Sequence, residues 1–400
     1  MRALWERGKD CMTSGIVDPA IQTSSADLTR HRTPLKALTG IRFFAAYYVV
    51  FFHTRLSEFF AQHAYHAAAN FIGNGYLAVP FFFILSGLIL AYTYQGQIEK
   101  PGDHRRFWEA RFARIWPVYM VSLIASTIPG LVFPSLGAVV ASFLMIQAWN
   151  PLKPQLAGTF NMMCWTLSIE AFFYVVFPWA QVLIEKLSPR KQIAVLAAMI
   201  VFCLLVQSTS RTVSTTQHGA WAYVPLPIFH LPEFLAGVAL GNYFLGCMVL
   251  RGQPSPRGIL AGKGFFALGS GLWTYASLTV TIILLCRPAL NPSSSLIVAS
   301  FAALLFGISA ETTLLSHFLS TPAMLLGGAI SYSVYLLQLP VKQWVLASTE
   351  YVHVESQMTR MLITAGVLPL VAYVTFTVVE DPTRKFLRGA FARSERWPRA

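Results

Sequence analysis

The sequence predicts an all-α membrane protein, a polytopic bundle of about ten transmembrane helices with both termini in the cytoplasm. Of its 400 residues, 55% are hydrophobic and only 12% are charged, whereas about 25% of the residues in a soluble domain are charged. Thirty Phe, ten Trp and fifteen Tyr residues suit a surface that faces lipid and anchors at the bilayer interface. Membrane lipids are therefore the predicted surroundings of most of the chain.

Ten apolar stretches approach or reach the length that a helix needs to cross a bilayer, about 17–25 residues. They are 38–57, 76–95, 116–134, 165–184, 191–208, 225–246, 265–286, 294–309, 322–346 and 361–379. The apolar stretch 136–149 is too short to span and suits a re-entrant segment. We accordingly expect a disordered cytoplasmic tail over 1–34, a membrane domain over 35–383 and a basic cytoplasmic tail over 384–400.

The net charge of +13 follows the predicted topology. With the N-terminus inside, twenty-three of the thirty Lys and Arg residues fall on the cytoplasmic side, six fall outside and Arg42 lies within the membrane. The positive-inside rule then places both termini in the cytoplasm. The basic charge thus reports topology, and we expect no nucleic acid partner. The polar segment 1–34 lacks the apolar core of a signal peptide.

Two ionisable residues, Arg42 and His53, lie eleven positions apart in the first span. Eleven helical steps of about 100° place both on one face, about 16 Å apart along the axis. Ionisable groups inside a bilayer are costly and mark a functional site by default, and a histidine can accept and return a proton. The alternative is that His53 caps the helix while Arg42 extends to the headgroups.

A second pair of basic residues, Arg111 and Arg114, precedes the third span at a spacing that makes them neighbours on a helix. Guanidinium groups pair bidentately with phosphate, so the pair suits a clamp for a phosphate-bearing cytoplasmic ligand. The alternative is that the segment 106–116 is an amphipathic helix lying on anionic headgroups.

Glu170 is predicted about one turn into the outer part of the fourth span, at a depth similar to that of His53. A carboxylate at that depth needs a partner. His53 is one candidate, and Arg42 or a wet outer vestibule are the others.

Three further segments have both a functional and a packing interpretation. Ser86-Gly87 interrupts the second span, where small residues allow helix backbones to approach closely. Tyr332 and Tyr335 share a helix face in the ninth span, and interface anchoring is their alternative. The segment 380–382 is expected to end the tenth helix.

No metal site is predicted, because the sequence lacks an HExxH motif and its five cysteines are scattered singly. Several histidines are single loop or span-end residues that suit solvent better than a metal ion. They are His63, His66, His218, His230, His317 and His353.

Six motifs occur together in a fixed order. They are Arg42-x10-His53, Phe82-Phe83-x-x-Ser86-Gly87, Arg111-x-x-Arg114, Trp165-x-Leu167-Ser168-x-Glu170, Ser331-Tyr332-x-x-Tyr335-Leu336 and Glu380-x-Pro382. Through these motifs and their order, the chain resembles the acyltransferase-3 family from about residue 34 to 388. These proteins are integral-membrane O-acyltransferases of bacterial surface polysaccharides, lipopolysaccharide and some antibiotics.

The chain departs from the family pattern at three positions. Gln338 stands where the family often has a histidine, so this position cannot supply an acid or base. Pro80 replaces a frequent polar residue, and His230 stands where an arginine is common.

The resemblance implies an enzyme of the bacterial inner membrane that uses acyl-CoA, usually acetyl-CoA, as a co-substrate and has no permanently bound cofactor. It implies that Arg111 and Arg114 hold the CoA phosphates, and that Arg42 holds the pantetheine or a phosphate. His53 would activate the acceptor hydroxyl or carry the acyl group transiently, and Glu170 would support its protonated form.

The implied acceptor is a sugar hydroxyl of a surface polysaccharide or glycolipid. Ser86, Trp165 and Tyr335 are candidates for substrate contact or packing. A macrolide-type antibiotic is an alternative acceptor. A transporter or flippase of a lipid-linked sugar is the alternative from another class, and a non-catalytic partner protein is a third.

Overall fold

The computed structural model is helical. It describes residues 35–54, 56–127, 134–214, 226–250, 271–288, 294–353 and 356–394. Within these ranges the chain forms α-helices, short 3-10 segments and turns, and no strand, which confirms the all-α prediction. The predicted tail 1–34 and the last residues, 395–400, lie outside the described residues.

Fifteen α-helices occupy the described ranges. In chain order they are α1 Lys36–Phe52, α2 Leu56–Gln62, α3 His66–Gly73, α4 Ala78–Tyr94, α5 Pro101–Thr127, α6 Leu136–Phe143, α7 Trp165–Glu185, α8 Pro189–Ser214, α9 Pro227–Leu250, α10 Leu272–Leu285, α11 Ser294–Ala310, α12 Leu314–Leu319, α13 Pro322–Tyr351, α14 Gln357–Thr375 and α15 Asp381–Ser394. Each of the ten predicted spans overlaps one of them, although 116–134 and 265–286 extend into residues outside the described ranges.

Five helical stretches are long and apolar enough to cross a membrane. They are His66–Tyr94, Met162–Glu185, Pro227–Cys247, Pro322–Tyr351 and Gln357–Phe391. The helices at the other predicted spans are shorter or less apolar over their described residues. The chain is therefore a helical membrane protein in which five of the ten predicted spans meet this criterion.

Helices α4 and α9 pack against each other in the bundle. A methyl group added to Gly87 would lie 2.2 Å from the carbonyl oxygen of Phe234, and one added to Gly237 would lie 2.0 Å from that of Ile84. Only glycine allows the two backbones to approach this closely. The packing interpretation of Gly87 is therefore confirmed, and the contact fixes the rotation of α4.

The segment after α6 folds back onto the start of α7 and buries part of the stretch that is too short to span, although most side chains of 136–149 are exposed. Met145 and Ala148 are buried. The Ser168 hydroxyl donates to the Met145 carbonyl (2.7 Å) and accepts from the Ala148 amide (3.2 Å), while the Trp149 indole donates to the Ser168 carbonyl (2.9 Å). This segment covers the first turn of α7, which places Glu170 inside the bundle.

The segment 380–382 does not end a helix, so the expectation that it ends the tenth helix is wrong. A π-helical segment, Phe376–Glu380, joins α14 to α15. Pro382 is the second residue of α15, and a proline is tolerated in the first turn of a helix because an amide there needs no helical partner. The π-helical segment carries Glu380, which is buried and accepts a hydrogen bond from Ser333 (3.1 Å).

Candidate active site

A cavity of about 890 Å³, including the solvent at its opening, lies among α1, α4, α5, α7 and α13. Six of the eight predicted site residues line it: Arg42, Ser86, Arg111, Arg114, Glu170 and Tyr335. They come from five different helices, so the fold brings together motifs that are far apart in the sequence. The other two predicted site residues, His53 and Trp165, are not among its lining residues.

The charged residues that line the cavity are three arginines and one glutamate. Arg42 lies within electrostatic range of Arg114, Glu170 and Glu380. Glu170 and the nearby Glu380, which lies within electrostatic range of Arg42 and Arg114, together leave one of the three positive charges without a counter-charge. Within the described ranges, no group of three His, Cys, Asp or Glu residues could hold a metal ion.

Glu170 accepts two hydrogen bonds on one carboxylate oxygen. Tyr174 donates its hydroxyl across 2.5 Å and Ser86 donates across 3.3 Å. Tyr174 follows Glu170 by four residues on α7 and therefore shares its helix face, a signal by which the sequence could have identified it. Of the partners expected for Glu170 from the sequence, Arg42 shares the cavity with it, whereas His53 is not among the lining residues.

Arg111 lies against the end of α4. Its Nη2 donates to the Tyr94 hydroxyl (3.4 Å), and its guanidinium centre lies 5.7 Å from the Tyr94 ring and 6.0 Å from the Phe107 ring. Its Nε is buried and has no hydrogen-bond partner. Arg111 and Arg114 line the cavity, whereas Arg106, Trp108 and Phe112 on other sides of the same segment are exposed. Tyr94 was not singled out in the sequence, because only the turn between α4 and α5 brings it to Arg111.

His53 follows the last residue of α1. Its Nδ1 lies 2.9 Å from the Val49 carbonyl oxygen, and its own carbonyl accepts a hydrogen bond from Lys342 (2.6 Å). Lys342 is seven residues beyond the cavity residue Tyr335 on α13, which is about 10 Å along a helix. His53 therefore lies past the Tyr335 end of the cavity, and its described contacts do not include Glu170.

Trp165 is the first residue of α7, and its ring lies 5.6 Å from the His230 ring. The next residue, Thr166, lines the cavity and donates to the Tyr335 hydroxyl (3.1 Å). His230 is buried, and its Nδ1 lies 3.2 Å from a carboxylate oxygen of Glu233. The expectation that His230 is solvated is therefore wrong, because α9 turns it toward the protein.

The tyrosines of α13 hold helices together. The Tyr332 hydroxyl donates to the Ile115 carbonyl on α5 (2.6 Å). Both Tyr332 and Tyr335 line the cavity, so their contacts are with protein and not with the bilayer interface. Gln338 is buried and donates to the Tyr335 carbonyl (2.9 Å).

Comparison with known proteins gives the family. The acyltransferase-3 family model, described as an acyltransferase domain, matches residues 35–379. The acyltransferase MdmB of Streptomyces mycarofaciens is 33% identical over 223 residues, which are 52% of this chain and 56% of that protein. The O-acetyltransferase OatA of Staphylococcus aureus (strain NCTC 8325 / PS 47) is 23% identical over 388 residues, 90% of this chain and 58% of that protein.

This chain thus spans little more than half the length of these two relatives. No solved structure matches it. The family match covers five of the six motifs, since the sixth begins at Glu380, one residue past its end, and it includes every lining residue of the cavity. The protein belongs to the acyltransferase-3 family.

Proposed function

We propose that the protein is a membrane-bound O-acyltransferase that moves an acyl group, most naturally acetyl, from acyl-CoA to a hydroxyl group of a saccharide. The observation that carries this proposal is the cavity with three guanidinium groups and one carboxylate. An excess of positive charge inside a membrane protein is costly unless a ligand balances it. A donor with several phosphates would do so.

The donor is held from the Arg111 end of the cavity. Arg111 and Arg114 bind the phosphates of acyl-CoA, since guanidinium groups match phosphate oxygens in charge and geometry. On α4, the cavity lining runs from Leu90 to Val79, which is about 16 Å of helix. This length accommodates an extended pantetheine arm, with Arg42 beside its path.

His53 acts on the acceptor at the other end. A carbonyl oxygen only accepts hydrogen bonds, so the contact with Val49 places the hydrogen on Nδ1 and leaves the lone pair on Nε2. Nε2 takes the proton of the acceptor hydroxyl as its oxygen attacks the thioester carbonyl carbon. The carbon–sulfur bond breaks, and the departing CoA thiolate takes the proton from His53.

Glu170 acts on the donor side of this reaction. Its carboxylate, held by Tyr174 and Ser86, lies within electrostatic range of Arg42. It orients that guanidinium, which is one of the partners expected for Glu170 from the sequence. A bacterial inner-membrane location with cytoplasmic termini would turn the Arg111 end toward the acyl-CoA pool.

Purified protein in lipid nanodiscs tests the proposal. The measurement is the release of free CoA thiol from acetyl-CoA with oligosaccharide or macrolide acceptors, together with the mass increase of the acceptor. We expect release that depends on acceptor and protein. Acetyl-CoA left intact with every acceptor, combined with protein-dependent movement of a lipid-linked sugar across vesicle membranes, would favour the flippase alternative.

A further inference from the structure

A fourth arginine, Arg388, belongs to the C-terminal helix and lies near Arg111, although it is not among the lining residues of the cavity. Helix α15 packs against α5. Arg388 on α15 is exposed and lies within electrostatic range of Arg384, Arg111, Tyr94 and Arg114. The continuation of the helix past Glu380 is what brings this residue near Arg111.

The positive charge of Arg388 is not balanced by the described residues. Asp381 forms ion pairs with Arg384 and with Lys385, whereas the ion pairs in the described part of the chain include none for Arg388. Within the same group, the Nε of Arg111 is buried without an acceptor. Like charges that converge are unfavourable, so an anion bound between these arginines would relieve their repulsion and would give the Nε of Arg111 an acceptor.

We propose that Arg388, beside Arg111, forms a phosphate subsite at the cavity mouth that binds the phosphomonoester of the acyl donor, the 3′-phosphate of CoA. This inference rests on the proposed function. Arg111 and Arg114 line the cavity and receive the diphosphate, whereas Arg388 is exposed and meets the outer end of the donor. A phosphomonoester is close to doubly charged at neutral pH. Among the phosphates of CoA, it is therefore the one most strongly attracted to a cluster of arginines.

The test compares the binding of CoA and 3′-dephospho-CoA to protein in nanodiscs of phosphatidylcholine, by calorimetry. The wild-type protein should bind CoA about tenfold more tightly, the effect of one charge-assisted hydrogen bond. In Arg388→Ala, the two affinities should become nearly equal, with the loss confined to CoA. Lys385→Ala is the matched control, because it removes the same charge from the same helix but from the ion pair with Asp381.

Three results would overturn the inference. Arg388→Ala could weaken both ligands equally, or neither. Arg388→Ala and Lys385→Ala could reduce discrimination alike. The effect of Arg388→Ala could appear only in nanodiscs with phosphatidylglycerol, which would assign the residue to a lipid phosphate. Acetyl-CoA turnover, measured in parallel, separates the two proposals. If the protein turns over acetyl-CoA but Arg388→Ala still discriminates CoA from 3′-dephospho-CoA as the wild type does, only the Arg388 subsite is refuted. If the protein neither turns over acetyl-CoA nor binds CoA, the donor assignment is refuted as well.

Discussion

Tyr174 donates a 2.5 Å hydrogen bond to Glu170 from one turn further along α7, inside the cavity that also contains Arg42. The bond holds the Glu170 carboxylate within electrostatic range of Arg42. A carboxylate held in this way can orient Arg42 without forming a permanent ion pair with it. This suits the polyanionic donor proposed above.

Removing the Tyr174 hydroxyl should impair catalysis without unfolding the bundle. A hydrogen bond to a charged group contributes about 1.5–3 kcal/mol, so Tyr174→Phe should lower kcat/KM about ten- to a hundredfold. The matched control is Tyr47→Phe, which removes a hydroxyl bonded to the Ala365 carbonyl outside the cavity. Equal activity of the two variants would show that the Glu170–Tyr174 pair only stabilises the fold.

His53→Ala should abolish most of the acyl transfer, because general base catalysis contributes about 10²–10⁴-fold. The measurement is acetylated acceptor formed per amount of membrane-inserted protein. His63 offers a matched control, since its Nδ1 contacts the Phe59 carbonyl four residues earlier, as His53 contacts Val49. His63 is exposed, so His63→Ala should retain activity. Full activity of His53→Ala at normal protein levels would refute the proposed base.

The phosphate clamp should be visible as a change in KM. Arg111→Ala/Arg114→Ala should raise the KM for acetyl-CoA at least tenfold, since two charge-assisted hydrogen bonds are lost. The KM for the acceptor should change little. Arg105→Ala/Arg106→Ala removes two charges from the same helix at exposed positions that pair with Glu109 and Asp103. A similar rise in both variants would indicate general electrostatic attraction instead of a clamp.

The sequence was sufficient to predict the helical class and the family, because composition and the six ordered motifs do not depend on side-chain geometry. It also identified Arg42, Arg111 and Arg114, since arginine in or beside a span is unusual enough to stand out. The spacing alone could not decide among the partners expected for Glu170, because the cavity that it shares with Arg42 depends on how α1 and α7 pack in the bundle.

The position of Arg388 was not predictable from local sequence either. The segment 380–382 has an acidic pair followed by proline, a pattern typical of a helix end. The π-helical segment before it shifts the register, so the proline falls in the first turn of α15, where it is tolerated. The basic tail consequently begins as a helix packed on α5.

The close approach of α4 and α9 predicts a stability effect that is separate from catalysis. A methyl group at Gly87 would meet the Phe234 carbonyl oxygen at 2.2 Å and the Val238 amide nitrogen at 2.8 Å. Both are backbone atoms that can yield only if the helices separate. Gly87→Ala should therefore destabilise the protein by about 1–3 kcal/mol, the usual cost of overpacking.

The measurement is the apparent melting temperature of detergent-solubilised protein, which should fall for Gly87→Ala. Gly366→Ala is the matched control: it lies on α14 with no heavy atom within 4 Å of an added methyl group. Because alanine favours a helix over glycine by about 1 kcal/mol, this variant should be as stable as the wild type or more so. If Gly87→Ala had the same apparent melting temperature as Gly366→Ala, α4 and α9 would be further apart than the structure places them. Since Ser86 precedes Gly87 on the same helix, the distance of its hydroxyl from Glu170 would then change as well.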